Sequence, residues 1–588
     1  MTSNTQIVRF EPEIPIVVPR KVINSNSFLT DSARRLPLHV IAAMGSGKSL
    51  IGGRISFSDF RRGFPQVVID PTGGTIDSFI NELRLFPEEQ VELLIPRIRY
   101  TSLSATDYVD PSPLFENPYN ESLMAVVQRH IDVIQMSDPN LEEASIEGFN
   151  ALEEIYGDAG RIGLALGGQL PEVIDIVKKP TAWESRFSEA LTAHPEIYDA
   201  VDNLYDYAKL GREIQRRRSG SFLNKARKII RYPELNARFC TARPGLTMQE
   251  VEDKHITWLI DGRNLKQKWL LLWYLKKFTD HAIHRGMRGR TFPIGLMLDE
   301  ITELLGYSKE KNGVMDVVIE QLISVISRNY GVFLTIMHQS LQQIGSERVR
   351  AALMSMPNQI IGHIHDPRDR QHLAEQFVKY DPFSIKEKIP VWMLESDPWQ
   401  KEISYAHSKS STWSESWKDS SYGVTSGMTE HIKPAQVPNV IDYQKVYYSL
   451  EEQFRMFGDQ FRPGELDAFH YLTWFAQGEG RFSSDDIGVR SIPVNEKQAP
   501  DERINSAYRD YLKKRDGYKV MDLFNENIER LKSAKAINVR SDTNVSSAKI
   551  STTDGNQNNS DISKNRRRKR KRTKQNVQDD SWQQQFYE

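Results

Sequence analysis

The sequence is poor in cysteine and in long apolar runs. Among its 588 residues the single cysteine is Cys240, which excludes disulfides and thiolate zinc sites within one chain and is typical of a reducing compartment. No stretch approaches the roughly 18 consecutive apolar residues of a membrane-spanning helix. The first residues show no signal-peptide pattern. We therefore expect a cytoplasmic protein with no intrinsic membrane span.

The net charge is also close to zero, but the charged residues are unevenly distributed along the chain. The chain sums to −1, and the segment 564–574 alone reads KNRRRKRKRTK, with nine basic residues and no acids. Subtracting these nine charges leaves −10 for the remainder. The folded body is therefore acidic, and contact with nucleic acid would have to be local, as in a pore. The basic segment would bind nucleic acid without sequence preference and with a steep dependence on salt.

A short apolar run is followed by a loop of small residues that ends in lysine. The run Leu38–Ile41 precedes AAMGSGKS at 42–49, which fits the phosphate-loop pattern except that Ala42 stands where glycine is usual. Consecutive backbone amides of such a loop can surround phosphates. The predicted ATP-binding residues are Ala43, Met44, Gly45, Ser46, Gly47, Lys48, Ser49 and Leu50. The alternative is a Gly/Ser turn without a ligand.

Within this loop, Lys48 would supply a positive charge to the phosphates and the Ser49 hydroxyl would join the shell of Mg²⁺. A second stretch complements the first, because the apolar run Ile294–Leu298 ends in Asp299 and Glu300. Asp299 would hold Mg²⁺ and Glu300 would polarise the attacking water. Many buried strands end in acids, so Asp299 and Glu300 indicate a nucleotide site only in combination with the upstream phosphate loop.

A third apolar run, at 332–338, ends in Gln339. This glutamine would contact the γ-phosphate or its water, or would form a simple hydrogen bond at the end of the strand. Continuous apolar strands that alternate with helices indicate a mostly parallel α/β sheet buried on both faces.

Changes in composition divide the chain into six predicted segments. They are 1–36, a β-rich lead-in; 37–119, the first part of the nucleotide domain; 120–250, an all-helical insertion; 251–384, the second part of the nucleotide domain; 385–534, a C-terminal extension with a small α/β module and a helix; and 535–588, a disordered basic tail.

Two stretches outside the nucleotide motifs carry alternative interpretations. The basic run at 216–231 is either a contact strip for a phosphate backbone or a solvated helix face. The Ser-rich stretch 408–417 predicts either a flexible linker or an exposed hairpin. Its tryptophans, Trp413 and Trp417, would pack against a neighbouring subunit or stack on bases.

The order of these motifs resembles the HerA–FtsK superfamily of hexameric DNA-pumping ATPases. The sequence runs from the phosphate loop through VVIDPTGG, the helical insertion, ITWLIDG and IGLMLDE to SRNYGVFLTIMHQS and IIGHIHDPRDRQHLAEQF. It is most similar to the coupling proteins of conjugative DNA transfer, of the TraG/TraD type, including relatives without a membrane anchor.

This resemblance implies a RecA-like P-loop ATPase fold, with ATP and Mg²⁺ as cofactors. It also implies a homo-hexamer with double- or single-stranded DNA in a central pore. Relaxosome or secretion-channel proteins would be further partners, and through them the protein would reach the inner membrane.

The resemblance also assigns roles to individual residues. Lys48 and Ser49 match the Walker A pair, Asp299 and Glu300 the Walker B pair, and Gln339 the sensor glutamine. Arg328 would act on a neighbouring subunit's nucleotide as an arginine finger. Arg368 and Arg370 are rival candidates for that role, and a plain salt bridge is the alternative for each. The departures from the pattern are Ala42 and His338, the latter standing where Thr or Ser is usual.

The leading functional hypothesis is an ATP-dependent motor that moves DNA through a ring. One alternative is a viral or mobile-element DNA-packaging ATPase, which shares the chemistry and differs in its docking partner. An alternative of another class is an assembly or secretion factor that acts on protein, with ATP as a switch.

Overall fold

The computed structural model describes residues 34–136, 152–289, 292–305, 314–378, 380–416, 419–463, 470–474, 487–491 and 501–545. The predicted lead-in lies almost entirely outside these residues, as do Trp417, the basic segment 564–574 and most of the predicted tail. Residue contacts divide the chain into two units, Met1–Asp369 with Phe461–Glu588, and Arg370–Gln460.

Thirteen strands lie within the described residues. They are β1 (Leu38–Ile41), β2 (Gln66–Asp70), β3 (Ile98–Ser102), β4 (Tyr108–Val109), β5 (Thr257–Asp261), β6 (Ile294–Leu298), β7 (Val332–His338), β8 (Asn358–Ile361), β9 (Ile385–Ser416), β10 (Asp419–Tyr447), β11 (His470–Trp474), β12 (Ile487–Ser491) and β13 (Tyr518–Lys519).

The helices of the first half of the chain begin at the phosphate loop and continue through the insertion. They are α1 (Lys48–Arg61), α2 (Gly74–Leu83), α3 (Glu88–Leu94), α4 (Leu123–Met136), α5 (Gly157–Ala165), α6 (Leu170–Lys178), α7 (Glu184–Ala193), α8 (Tyr198–Lys209), α9 (Arg212–Arg231), α10 (Pro233–Phe239) and α11 (Met248–Asp253).

The helices of the second half are mostly those of the nucleotide domain and the C-terminal part. They are α12 (Leu271–Met287), α13 (Ile301–Leu305), α14 (Val314–Gln321), α15 (Ser327–Asn329), α16 (Glu347–Met354), α17 (Pro367–Phe377), α18 (Leu450–Asp459), α19 (Glu502–Asp516) and α20 (Val520–Val545).

The first unit is built on a nine-stranded sheet in the order β12-β11-β8-β1-β7-β6-β2-β5-β3. The seven strands from β8 to β3 are parallel. Alternate side chains of one strand enter different cores, since Val67 and Ile69 of β2 belong to one cluster and Val68 to the other. Burial on both faces explains why the strands are continuously apolar. The predicted α/β fold with a mostly parallel sheet is confirmed.

The sheet also extends beyond the predicted nucleotide domain. Strand β11 pairs antiparallel with β8, and β12 pairs antiparallel with β11. The sequence places both strands in a separate small α/β module, but the backbone edge of β8 is available for pairing and β11 occupies it. A strand from the C-terminal part therefore lies two positions from β1 in the sheet.

The insertion is helical throughout those of its residues that the structure describes. Its core is continuous with the sheet, because Val126 of α4 and Tyr156 belong to the same buried cluster as Val67 of β2. Helix α20 packs on the insertion, where Arg530 donates to Glu172 at 3.1 Å. This helix runs to Val545, beyond the boundary at 535 that the sequence predicts.

The second unit consists largely of a long two-stranded antiparallel hairpin, β9 and β10. Of the two predicted alternatives for the Ser-rich stretch, the structure has the hairpin. Within the same unit, α18 begins with a capping box formed by Ser449 and Glu452, and Lys386 of β9 lies 2.5 Å from Glu452. Among the described residues of the whole chain, no helix combines the length and apolarity that a membrane crossing requires.

Candidate functional site

The predicted phosphate loop lies at the carboxyl end of β1 and leads directly into α1. Its turn depends on Gly45 and Gly47, whose φ angles of +80° and +92° lie in the left-handed region that favours glycine. Ala42 fits this turn because its neighbour is also small: a Cβ added at Gly362 would lie 2.7 Å from the Cβ of Ala42. The alanine at position 42 is therefore compatible with the loop.

The loop is held through its carbonyl groups. Both the amide and the hydroxyl of Ser46 donate to the Ala43 carbonyl, at 3.3 and 2.7 Å. The Ala43 amide donates to the His363 carbonyl at 2.9 Å, and the Tyr471 hydroxyl of β11 donates to the Ser46 carbonyl. Met44 at the tip of the loop is exposed, and Leu50 is half-buried.

The other amide groups of the loop are left available. Within the described residues we find no acceptor for the amides of Gly45, Gly47, Lys48 and Ser49. Consecutive unpaired amides at the start of a helix form a concave site for an anion, and the dipole of α1 adds to the attraction. The donor set therefore fits the phosphates of a nucleotide.

Lys48 connects this loop to the two acids that follow β6. Its Nζ lies 2.5 Å from Oε2 of Glu300 and 3.1 Å from Oδ1 of Asp299, and the side chain is only 9% exposed. Burial by itself would lower the pKa of Lys48, but the two carboxylates outweigh it and raise the pKa above its ordinary value. Lys48 therefore carries a positive charge inside the site.

Glu300 is held by three side chains. Besides Lys48, the Thr302 hydroxyl donates to Oε1 at 2.7 Å and Nε2 of Gln339 donates to Oε2 at 2.9 Å. Burial would raise the pKa of Glu300, but the charge of Lys48 and these hydrogen bonds lower it below its usual range. The backbone φ angle of Glu300 is +46°, which residues other than glycine and asparagine rarely adopt. Strain at this position is a feature of functional sites.

The two predicted ligands of Mg²⁺ both lie beside the beginning of α2. Ser49 lies close to Gly74, because a Cβ added at Gly74 would be 2.9 Å from the Ser49 hydroxyl. Asp299 lies close to the next residue, since the Thr75 hydroxyl donates to its Oδ2 at 2.7 Å. The described residues contain no cluster of three or more metal-ligating side chains. Two protein oxygens suit Mg²⁺, which takes its remaining ligands from water and from phosphate.

The beginning of α2 is in turn fixed by Asp70 at the end of β2. This carboxylate is fully buried. Its oxygens accept hydrogen bonds from four backbone amides, those of Thr72, Gly73, Thr75 and Ile76. Asp70 thereby positions Thr75, which in turn orients Asp299.

Two of the predicted arginines, Arg328 and Arg368, are not part of this site within one chain. Arg328 is exposed and lies in α15, just before the amino end of β7, whereas the phosphate loop lies at the carboxyl ends of the parallel strands. Arg368 is exposed and pairs with Asp366 at 3.2 Å. Arg370 belongs to the second unit.

Sequence reasoning did not identify four residues that support the site: Thr75, Thr302, His363 and Tyr471. Thr75 directly follows the run DPTGG, and Thr302 lies two positions after Glu300, so both stand next to motifs that were recognised. Tyr471 is separated from the phosphate loop by 425 positions. No local pattern connects it to that loop.

Comparison with known proteins gave matches among solved structures only. No family model and no curated protein matches the chain. The unbound monoclinic form of the bacterial conjugative coupling protein TrwBdeltaN70 matches with a TM-score of 0.43 and 13% identity, over 79% of this chain and 86% of that one. Its trigonal form in complex with sulphate gives a TM-score of 0.42 and 12% identity, over 80% and 88%.

A third match is the structure of VirB4 of Thermoanaerobacter pseudethanolicus, with a TM-score of 0.35 and 12% identity over 58% of this chain and 80% of that one. Coupling proteins are the class that the order of motifs in this sequence resembles most.

Proposed function

We propose that this protein is a Mg²⁺-dependent ATPase that moves DNA through a ring of six identical subunits. One observation carries the proposal. Lys48 from the phosphate loop, Glu300 after β6 and Gln339 after β7 meet through contacts of 2.5 and 2.9 Å, beside backbone amides that lack acceptors. Three separate segments of the chain thus bring together a loop with available amides, an acid and an amide side chain.

The phosphates would be bound by the loop amides and by Lys48. To reach them, Lys48 would exchange its contact with Glu300 for one with phosphate oxygens. Glu300 would then lose the positive charge that lowers its pKa, while its burial, which raises the pKa, would remain. A carboxylate with a raised pKa is a better general base. Binding of the nucleotide would therefore activate the residue that receives the proton of the attacking water.

Gln339 would complete this arrangement. Its amide nitrogen holds Oε2 of Glu300, and the same side chain, at the end of β7, would respond when the γ-phosphate departs. Ser49 and Asp299 would hold Mg²⁺, which supplies positive charge to the β- and γ-phosphates when bound.

Arg328 supports a ring rather than a monomer as the active form. It lies near the amino ends of the parallel strands, whereas the phosphate loop lies at their carboxyl ends. It would therefore reach a nucleotide only on an adjacent subunit. Head-to-tail contact between identical subunits places opposite ends of the sheet next to each other, and it forms a ring where the rotation between subunits closes. The arginine would then supply the positive charge that such enzymes use in the transition state.

DNA as the moved substrate rests on the order of motifs that the sequence shares with DNA-pumping ATPases. The decisive measurement is the ATPase rate of the parent and of Lys48→Ala, with and without duplex DNA. We expect hydrolysis that requires Mg²⁺, increases with DNA and is lost in the variant. Hydrolysis that DNA does not change would favour a factor that acts on protein. Equal rates in the parent and the variant would refute the proposal as a whole.

A further inference from the structure

Helix α9 of the insertion carries a strip of cations on its exposed side. The strip consists of Arg216, Arg217, Arg227, Lys228 and Arg231, all exposed. At 3.6 residues per turn these five positions fall within about 120° of the helix circumference. The only acid in the whole helix is Glu213. We call these five residues the basic strip.

Three of these cations have no acidic partner among the described residues. For Arg216, Arg227 and Lys228 we find no carboxylate at ion-pair distance among the described residues; Arg227 makes only a contact of 3.4 Å with the Asn224 side-chain oxygen. Like charges side by side on a helix are unfavourable by themselves, because each repels its neighbours. The presence of the basic strip on a body that is otherwise acidic indicates an anionic partner.

We propose that the basic strip binds the phosphate backbone of DNA, which deepens the DNA part of the proposed function. Four of the five cations are arginines, whose planar guanidinium groups match phosphate geometry. From Arg216 to Arg231 the strip is about 22 Å long at 1.5 Å per residue. That length corresponds to about six or seven base pairs of duplex.

The opposite side of α9 argues against a lipid surface. A helix that binds a membrane must expose an apolar face to the acyl chains. In α9 that face is already buried in the insertion core, through Phe222, Leu223, Ala226, Ile229 and Ile230. The cations therefore project from a helix that is fixed in place, and only a polar, charged partner fits them.

Arg218 shows that the strip is confined to one side. It belongs to the same basic run in sequence, but it lines a cavity with Asp158 and Asp206. Its charge therefore faces acids of the protein itself, and we exclude it from the strip.

The experiment measures the affinity of the full chain for a short fluorescent duplex without nucleotide, over a series of salt concentrations. The test variant is R216Q/R227Q/K228Q. The control is R35Q/R288Q/K254Q, which removes the same charges from exposed positions elsewhere. Both variants retain the basic segment 564–574, so any difference between them comes from the strip.

We expect the test variant to bind more weakly at low salt. The slope of the logarithm of the association constant against the logarithm of the salt concentration is negative, and it should become less steep by about 2.7, at about 0.9 per lost phosphate contact. The charge-conserving variant R216K/R227K should keep the parent's slope. An unchanged thermal unfolding temperature of the glutamine variant would exclude misfolding as the cause.

Three outcomes would overturn the proposal: an unchanged slope, an equal loss in the control, or loss of binding to anionic lipid vesicles with duplex binding intact. Because no nucleotide is present, a chain that failed to hydrolyse ATP would still give a clear result here.

Discussion

The Nζ of Lys48 lies 2.5 Å from Oε2 of Glu300, although 252 positions separate the two residues in sequence. Each changes the other's protonation, because Glu300 helps to raise the pKa of Lys48 and Lys48 lowers that of Glu300. Without a nucleotide, the candidate base is thus neutralised by the lysine that would bind the phosphates. In the proposed mechanism the pair would couple nucleotide binding to activation of the base.

The first prediction concerns this candidate base. Glu300→Gln should retain nucleotide binding, because the loop amides and Lys48 remain, but should lower kcat by about 10²- to 10⁴-fold through loss of proton transfer. Binding of a fluorescent ATP analogue and steady-state hydrolysis measure the two effects separately. Glu303→Gln, on the helix that begins directly after Glu300 and paired with Lys268, serves as the control. A Glu300→Gln variant with the parent's kcat would remove Glu300 from the mechanism.

The second prediction concerns Tyr471, which donates to the Ser46 carbonyl of the phosphate loop. Tyr471→Phe keeps the ring but frees that carbonyl, so the peptide can turn its oxygen toward the phosphates. A hydrogen bond worth about 1 kcal/mol predicts a Kd for ATP that is roughly fivefold higher. kcat should change little, since no reacting atom is touched.

Titration with the same analogue measures this change. Tyr511→Phe, at an exposed position, should leave the Kd as in the parent. If both phenylalanine variants bind equally well, Tyr471 does not position the loop.

The third prediction concerns action between subunits. Arg328→Ala should lower kcat on the order of 10³-fold, as loss of an arginine finger does. Mixing Arg328→Ala with Glu300→Gln subunits should restore activity, because a complete site forms wherever one subunit supplies Glu300 and its neighbour supplies Arg328. With random mixing in a head-to-tail ring, about one quarter of the sites would be complete.

Mixtures that remain inactive would show that Arg328 does not act in trans. Arg368→Ala is the comparison for the rival arginine, and we expect it to keep the parent's rate because Arg368 is exposed and paired with Asp366.

The fourth prediction concerns two buried histidines beside the site. The amide nitrogen of Gln359 donates to three backbone carbonyls, so its oxygen must accept from Nδ1 of His39, 2.6 Å away. Nε2 of a neutral His39 then accepts from Nε2 of His338 at 2.7 Å. A proton added to His39 would place two donors opposite each other.

This chain of hydrogen bonds agrees with the direction in which the pKa values of the two histidines are shifted. Burial lowers the pKa of His39 to about 4, against a smaller opposing effect of Gln359, and burial also lowers the pKa of His338. Between pH 6.5 and 4 the unfolded chain therefore binds more protons than the folded one. Stability should fall as the pH falls through this range, by up to about 1.4 kcal/mol per pH unit for each such histidine.

His39→Asn should reduce this pH slope by the contribution of one histidine, whatever its effect on stability at neutral pH. Thermal unfolding across the range measures the slope. His372→Asn, at an exposed position, should leave the slope unchanged. A slope that is equal in all three proteins would show that His39 is not buried in its neutral form.

The parts of the site that the sequence predicts are those with a local pattern. The phosphate loop, Asp299 with Glu300, and Gln339 each follow an apolar strand directly, so the strand and the candidate site residue are predicted together. The parallel sheet follows from the same runs. The departure at His338 also has a local cause in the structure, since its side chain pairs with His39 while Gln339 still contacts Glu300.

The order of strands could not be predicted in the same way. It depends on pairing between segments that are distant in the chain, such as β1 with β7 and β8. The position of β11 beside β8 depends on the free edge of the sheet, which no single segment reveals. Tyr471 was missed for that reason, because its role appears only when β11 occupies that edge.

The place of β1 between β7 and β8 also has a consequence for synthesis. The phosphate loop cannot take its final form until residue 361, the end of β8, has left the ribosome. At about 5 to 20 residues per second, the 320 residues after β1 take roughly 16 to 64 s to synthesise. During most of that time the apolar strand β1 has neither of its partner strands, and the loop that follows it is incomplete. The cell must therefore protect a long, incomplete polypeptide whose earliest strand is among the last to find its place.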